Sequence, residues 1–110
     1  MISTLLIIKL LWIHLFADFF LQSDAMAKNK SSSNKWLTIH VIIYSLCFIA
    51  FGWKYALLNG IMHWSTDFVS SRITTYLWKK QEVHWFFVVI GIDQALHMTA
   101  LVLSIPFMGW

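Results

Sequence analysis

Hydrophobic and polar positions along this chain fall in long blocks. Four apolar stretches, at about 5–22, 36–53, 55–78 and 84–108, are parted by short polar punctuation. Each approaches the ~20 residues an α-helix needs to cross a ~30 Å hydrocarbon layer. The strict alternation of barrel strands is missing, which leaves helices as the way to satisfy every backbone polar group in lipid. The pattern predicts an all-α fold, a four-helix transmembrane bundle, formed by a single transmembrane domain over residues 1–110.

The punctuation sharpens the topology. Five of the seven tryptophans, Trp36, Trp53, Trp78, Trp85 and Trp110, stand at stretch ends, where an amphipathic indole favours the membrane–water interface. The first connection, 23–35, has Lys-Asn-Lys-Ser-Ser-Ser-Asn-Lys at its centre and reads as a solvated loop. A tight turn around Gly52, Trp53 and Lys54 forms the second, and the short polar run Lys79 to Val83 the third. Loops one and three together carry Lys28, Lys30, Lys35, Lys79 and Lys80, against Lys54 and the intrahelical Lys9 on the other side. The excess of cytoplasmic lysine and arginine seen in membrane proteins then puts loops one and three in the cytoplasm and both termini outside a bacterial inner membrane. Ala25-Met26-Ala27 mimics a signal-peptidase site. Met1 to Thr4 has no basic side chain, however, and His14 and Asp18 interrupt the apolar region, so no cleavage is expected.

Composition narrows the class further. Hydrophobic residues make up 59% of the chain and charged residues 12%, against about a quarter charged in an ordinary soluble domain. The mean hydropathy is +0.68. So much apolar surface cannot be hidden by a small soluble domain, and disordered chains lack it. The net charge of +3 reflects few acids and no basic stripe, so a nucleic-acid partner is not expected. Cys47, the one cysteine, excludes an internal disulfide and any paired-cysteine zinc motif.

The candidate chemistry lies in ionisable residues inside the apolar stretches. Three of the five acids, Asp18, Asp67 and Asp93, are there, with four of the five histidines, His14, His40, His63 and His97. A carboxylate at the centre of a membrane helix costs roughly 2.5–3.5 kcal/mol on insertion scales, so such groups are functional candidates by default. His14 and Asp18, His63 and Asp67, and Asp93 and His97 are each four residues apart, hence on one helix face one turn apart. With His40, every helix contributes. The antiparallel order sets each aspartate nearer loops one and three than its histidine, which predicts a two-layer cluster about 6 Å tall. Histidine nitrogen plus carboxylate oxygen is ligand chemistry for a divalent metal such as zinc, manganese or iron. Seven such ligands exceed one tetrahedral site and suit two ions with bridging carboxylates. Gln22, Tyr44, Asn59 and Gln94 extend the same faces as candidate partners that orient the ligands. His84 has no helical partner, and Arg72 lies some 140° round from Asp67 on an ideal helix, so neither joins the set.

The ordered set His14-Leu-Phe-Ala-Asp18-Phe-Phe-Leu-Gln22, His40, His63-Trp-Ser-Thr-Asp67-Phe-Val-Ser-Ser-Arg72-Ile-Thr74 and Asp93-Gln94-Ala-Leu-His97 resembles the domain-of-unknown-function family 3307. These are small membrane proteins of bacteria and phages, and the resemblance spans nearly the whole chain. It implies that these positions are the family's hallmarks, but it supplies no reaction. More distantly, the arrangement is similar to inner-membrane metal-dependent hydrolases. The sequence thus leads to an expected metal-dependent membrane hydrolase. Its substrate would be a phosphoester or similar bond in a lipid-borne molecule, and Asp18, Asp67 or Asp93 would serve as catalytic carboxylate. Membrane lipid and a second copy of the chain are the expected partners. The alternatives are a metal-ion or proton pathway and a phage-type accessory protein with a structural metal.

Overall fold

The computed structural model describes residues 3–20 and 33–109. Four helices, antiparallel in sequence order, account for nearly all of them. Helix α1 (Thr4–Leu15) starts at Ser3, whose hydroxyl accepts a hydrogen bond from the Leu6 amide at 3.0 Å and so caps a free donor of the first turn. It continues through Phe16–Phe20 as one wide π-helical turn, a local expansion that recurs at functional sites in other helices. Helix α2 (Asn34–Leu46) gives way to a turn and the 3-10 segment Ile49–Phe51, so the second apolar stretch is helical only in its first two-thirds. Helix α3 (Trp53–Lys79) is the longest at 27 residues, about 40 Å at 1.5 Å per residue. Helix α4 (Val83–Leu103) runs back beside it and ends in the 3-10 segment Ile105–Phe107, which contains Pro106.

Two turns set this geometry. Gly52, at φ 124°, lets the chain reverse from the 3-10 segment directly into α3. A side chain there would collide with the backbone of Gly109, whose amide donates to the Phe51 carbonyl at 2.9 Å. At the other end Gln81 adopts φ 60°, and the Glu82 amide reaches back to the Leu77 carbonyl at 2.9 Å. That six-to-one bond closes the last turn of α3 and reverses the chain into α4.

The buried positions of α3 are Tyr55, Ala56, Asn59, Gly60, His63, Asp67 and Ser71, a stripe at steps of three and four. The stripe is aromatic and small at its start and polar from its middle onward. At the aromatic end lies an apolar plug of Leu10, Phe48, Tyr55, Ala56 and Leu101, with Ala17 and Tyr44 in the same cluster. Tyr55 spans it, its hydroxyl donating to the Leu101 carbonyl at 2.8 Å. Gly60 brings α2 close to α3, so that Ser45 can donate to the Ala56 carbonyl at 2.5 Å. Small residues at such crossings let helix backbones approach.

Inside and outside are partitioned unusually. Among the described residues, buried hydrophobic side chains number nine and buried polar or charged ones ten, whereas Trp12, Leu57, Ile61, Phe87 and Leu103 are more than half exposed. Among the described helices, Val83–Leu103 is the one both long and apolar enough to cross a membrane.

Candidate metal centre

Each helix delivers histidine or aspartate side chains to one shared cluster in the bundle. From α1, His14 lies at the end of the regular helix and Asp18 in the middle of the π turn. His40 comes from α2, His63 and Asp67 from α3, and Asp93 and His97 from α4. All seven are buried, none more than 8% exposed. The one-turn spacing within helices appears directly: His63 Nε2 is 3.1 Å from Asp67 Oδ2, His97 Nδ1 is 3.5 Å from Asp93 Oδ2, and His14 Nε2 is 3.9 Å from Asp18 Oδ2.

Four of these residues form the tightest set. His40 Nε2 lies 3.1 Å from His63 Nε2, 3.0 Å from Asp18 Oδ1 and 3.3 Å from Asp67 Oδ2. His63 Nε2 lies 3.5 Å from Asp18 Oδ1 and 3.1 Å from Asp67 Oδ2. A tetrahedral ion with ligands at about 2.0–2.2 Å requires ligand atoms about 3.3–3.6 Å apart. Two of the five observed separations, 3.3 and 3.5 Å, fall in that range, and the other three, 3.0–3.1 Å, are 0.2–0.3 Å shorter. These residues, two imidazoles and two carboxylates from three helices, could hold a divalent cation.

The remaining carboxylate oxygens turn the other way. Asp18 Oδ2 is 3.8 Å from His97 Nδ1, and Asp67 Oδ1 is 3.6 Å from His97 Nε2. Asp67, Asp93 and His97 make a second group with ligand atoms close enough for one ion, and His14, Asp18 and His97 a third. Both ring nitrogens of His97 and Nδ1 of His63 are buried without a hydrogen-bond partner among the described residues. Leaving a buried polar atom unsatisfied costs about 1–3 kcal/mol, and an added cation would relieve that cost at His97. The His97 and His63 rings stack at 3.9 Å with 13° between their planes, and the Tyr44 ring packs against His63 at 3.9 Å, tilted by 33°. This layered packing holds both imidazoles in place.

Gln94 joins the carboxylates to His14. Its amide nitrogen donates to Asp18 Oδ2 at 3.0 Å and Asp93 Oδ2 at 3.2 Å, leaving its carbonyl oxygen 2.7 Å from His14 Nε2. The two carboxylates fix which way the amide faces, so His14 Nε2 must carry the proton and donate. His14 Nδ1 then accepts from the Tyr44 hydroxyl at 2.8 Å. Both ring nitrogens of His14 are therefore engaged in hydrogen bonds. Asp93 is held further by the Ser70 hydroxyl at 2.5 Å.

The other anticipated partners divide. Tyr44 and Gln94 contact the cluster directly. Asn59 is placed towards the apolar plug, donating to the Tyr55 carbonyl at 3.0 Å and to Ser104 Oγ at 2.8 Å. Gln22 lies outside the described residues. Arg72 points away, its guanidinium donating to the Phe68 carbonyl and to Asn34 Oδ1. Sequence reasoning missed Ser71, which is buried one turn beyond Asp67 and whose hydroxyl has no hydrogen-bond partner among the described residues. The four-residue step from Asp67 was the available signal. A cavity of about 270 Å³ opens onto the cluster beside it, lined by Asp18, Asp67, Ser71, Thr74, Asp93 and Gln94 among others.

The model of a family described as protein of unknown function (DUF3307) matches residues 6–109. No curated protein and no solved structure matches the chain.

Proposed function

From the premise that the chain belongs to the DUF3307 family, we propose that it is a multi-pass membrane protein whose buried His/Asp cluster binds two divalent cations and hydrolyses a phosphoester of a lipid-borne substrate. The observation that carries the reading is the convergence of Asp18 Oδ1, His40 Nε2, His63 Nε2 and Asp67 Oδ2, with nitrogen–nitrogen and nitrogen–oxygen separations of 3.0–3.5 Å. Asp18 and Asp67 each turn a second oxygen towards His97, so these three residues would hold the second ion. His14 and Gln94 orient the carboxylates. The membrane assignment is supported by the polar interior, the apolar exterior and a long dimension of 45 Å, close to the ~40–45 Å of a bilayer with its headgroups.

A bound pair of divalent ions supplies Lewis acidity and makes water nucleophilic near neutral pH. Hydrolysis would join a water oxygen to phosphorus as the ester P–O bond breaks. Asp93, held by Ser70 and Gln94 at the cavity wall, would act as general base instead of ligand, taking the water proton and returning it to the leaving oxygen. The apolar plug of Leu10, Phe48, Tyr55 and Leu101 closes the bundle beyond the cluster, which favours a closed reaction site over a transmembrane pathway.

Elemental analysis of the purified protein tests this reading. Stoichiometric zinc, manganese or iron is expected in the unaltered chain and should be lost in Asp67→Ala and His97→Ala. Turnover of a panel of lipid phosphates should disappear with it. Unaltered protein without bound metal overturns the reading, and metal without turnover on any phosphoester overturns its hydrolytic half.

A further inference from the structure

Two cavities meet at one pair of residues. The polar one, about 270 Å³, opens onto the metal centre. The second, about 440 Å³, is an almost wholly apolar groove on the outer face between α3 and α4, walled by Val69, Ile73, Ile92 and Leu96. Ser70 and Asp93 line both, so the groove runs up to the cluster from the side. Each lies near or within the ~300–1,000 Å³ range of small-molecule sites. The four wall residues are each 43% exposed or more, and on the membrane reading they face hydrocarbon.

The polar cavity also contains an unused donor. Ser71 is 6% exposed, and its hydroxyl has no hydrogen-bond partner among the described residues. Its neighbours are committed: Ser70 donates to Asp93, and Thr74 donates to the Ser71 carbonyl at 3.1 Å. Mid-helix serines commonly bond back to a carbonyl one turn earlier, as Ser65 does here. Ser71 does not, and remains available to a ligand in the cavity.

We infer that the two cavities form one binding site for a single-chain amphiphile, with its head oxygen accepting a hydrogen bond from Ser71 and its hydrocarbon chain lying in the α3–α4 groove. The inference rests on the metal-centre reading for why an oxyanion head tolerates three nearby carboxylates. The groove selects by fit, since one chain fills the space between two helices, and Ser70 with Asp93 marks where chain gives way to head. Substrate would thus enter sideways from the bilayer without leaving it.

The test uses the full chain in phosphatidylcholine nanodiscs with a dodecyl phosphate carrying a photoreactive group in mid-chain. Labelling is expected at Val69, Ile73, Ile92 and Leu96 well above that at the equally lipid-facing Leu5 and Leu103. Ser71→Ala should weaken groove labelling by about tenfold, the loss of one hydrogen bond to a charged acceptor. Ser71→Thr should restore it, and a headless alkane probe should be indifferent to both changes. Ile92→Trp should block labelling by filling the groove. Even labelling over all lipid-facing residues overturns the inference, as does groove labelling that ignores Ser71→Ala. Metal content is read on the same samples. Metal-loaded protein with an unlabelled groove sinks the amphiphile site alone, whereas metal-free protein sinks the metal reading and leaves the labelling to decide the groove.

Discussion

His14 illustrates how hydrogen bonds sort residues of the same type into different roles. It is as buried as His40 and His63, yet its ring nitrogens are occupied by Tyr44 and Gln94, while the Nε2 atoms of the other two converge on Asp18 and Asp67. Substitution should separate the two classes. His63→Ala is expected to abolish metal binding. Gln94→Leu, which frees Asp18 and Asp93 and strips His14 of its acceptor, should lower metal affinity by about 10–100-fold, the usual effect of removing a partner that orients ligands. Tyr44→Phe removes one hydrogen bond and should cost about 1 kcal/mol of stability while keeping the metal. Competition against a chelating dye measures the affinities. If His14→Ala proves as damaging as His63→Ala, then His14 is itself a ligand.

At the scale of elements, the two mid-helix glycines, one buried and one exposed, make opposite predictions. A Cβ on Gly60 would meet Ser45 Oγ at 2.9 Å and Ser45 Cβ at 3.2 Å, forcing α2 from α3 and moving His40 relative to His63. Gly60→Val should destabilise the protein by about 1–3 kcal/mol, as overpacking does, and weaken metal binding with it. Gly91, in the middle of α4, has nothing within 4 Å of its Cβ position. Gly91→Ala should therefore stabilise by about 0.5–1 kcal/mol through helix propensity alone. Chemical unfolding in detergent reads both changes. The helices, their antiparallel order and the convergence of the His/Asp faces were legible in the sequence, because steps of three and four residues translate directly into one face. The π turn was not, since its wider winding leaves the apolar pattern of Phe16–Phe20 unchanged. Nor was the early end of α2, where Cys47 to Phe51 stay apolar through a turn, nor the departure of Asn59 towards Ser104. Whether a polar residue on the stripe joins the cluster depends on what neighbouring helices present at its level, and a single helix pattern does not encode that.

For the whole molecule, the cluster ties stability to its ligand. Three carboxylates at one level repel one another unless a cation lies among them, so chelation should lower the melting temperature and added metal restore it. A ligand present at a thousand times its Kd contributes about 4 kcal/mol, and scanning fluorimetry at graded free metal would follow the effect. A flat response would mean that the folded state gains nothing from the ion. Orientation can be tested in cells with native Cys47 replaced by serine. Cysteines introduced at Gln81 and Lys54, at opposite ends of α3, should be labelled by an impermeant reagent in opposite ways, with Lys54→Cys reached from outside. Labelling of both positions from the same side would refute a transmembrane α3.

The intrahelical spacing of the ion pairs also bears on how such a chain is made. On the membrane reading, α1, α3 and α4 each leave the insertion machinery carrying an aspartate with a histidine one turn away, at 3.9, 3.1 and 3.5 Å in the finished fold. Each segment brings a proton-sharing companion for its own acid, so none needs a neighbouring segment already in place. The second segment carries His40 with no intrahelical acid and can enter as a neutral imidazole. Biogenesis then requires no fixed order of partnering: the segments can arrive self-neutralised and exchange these private pairs for the shared cluster once they meet.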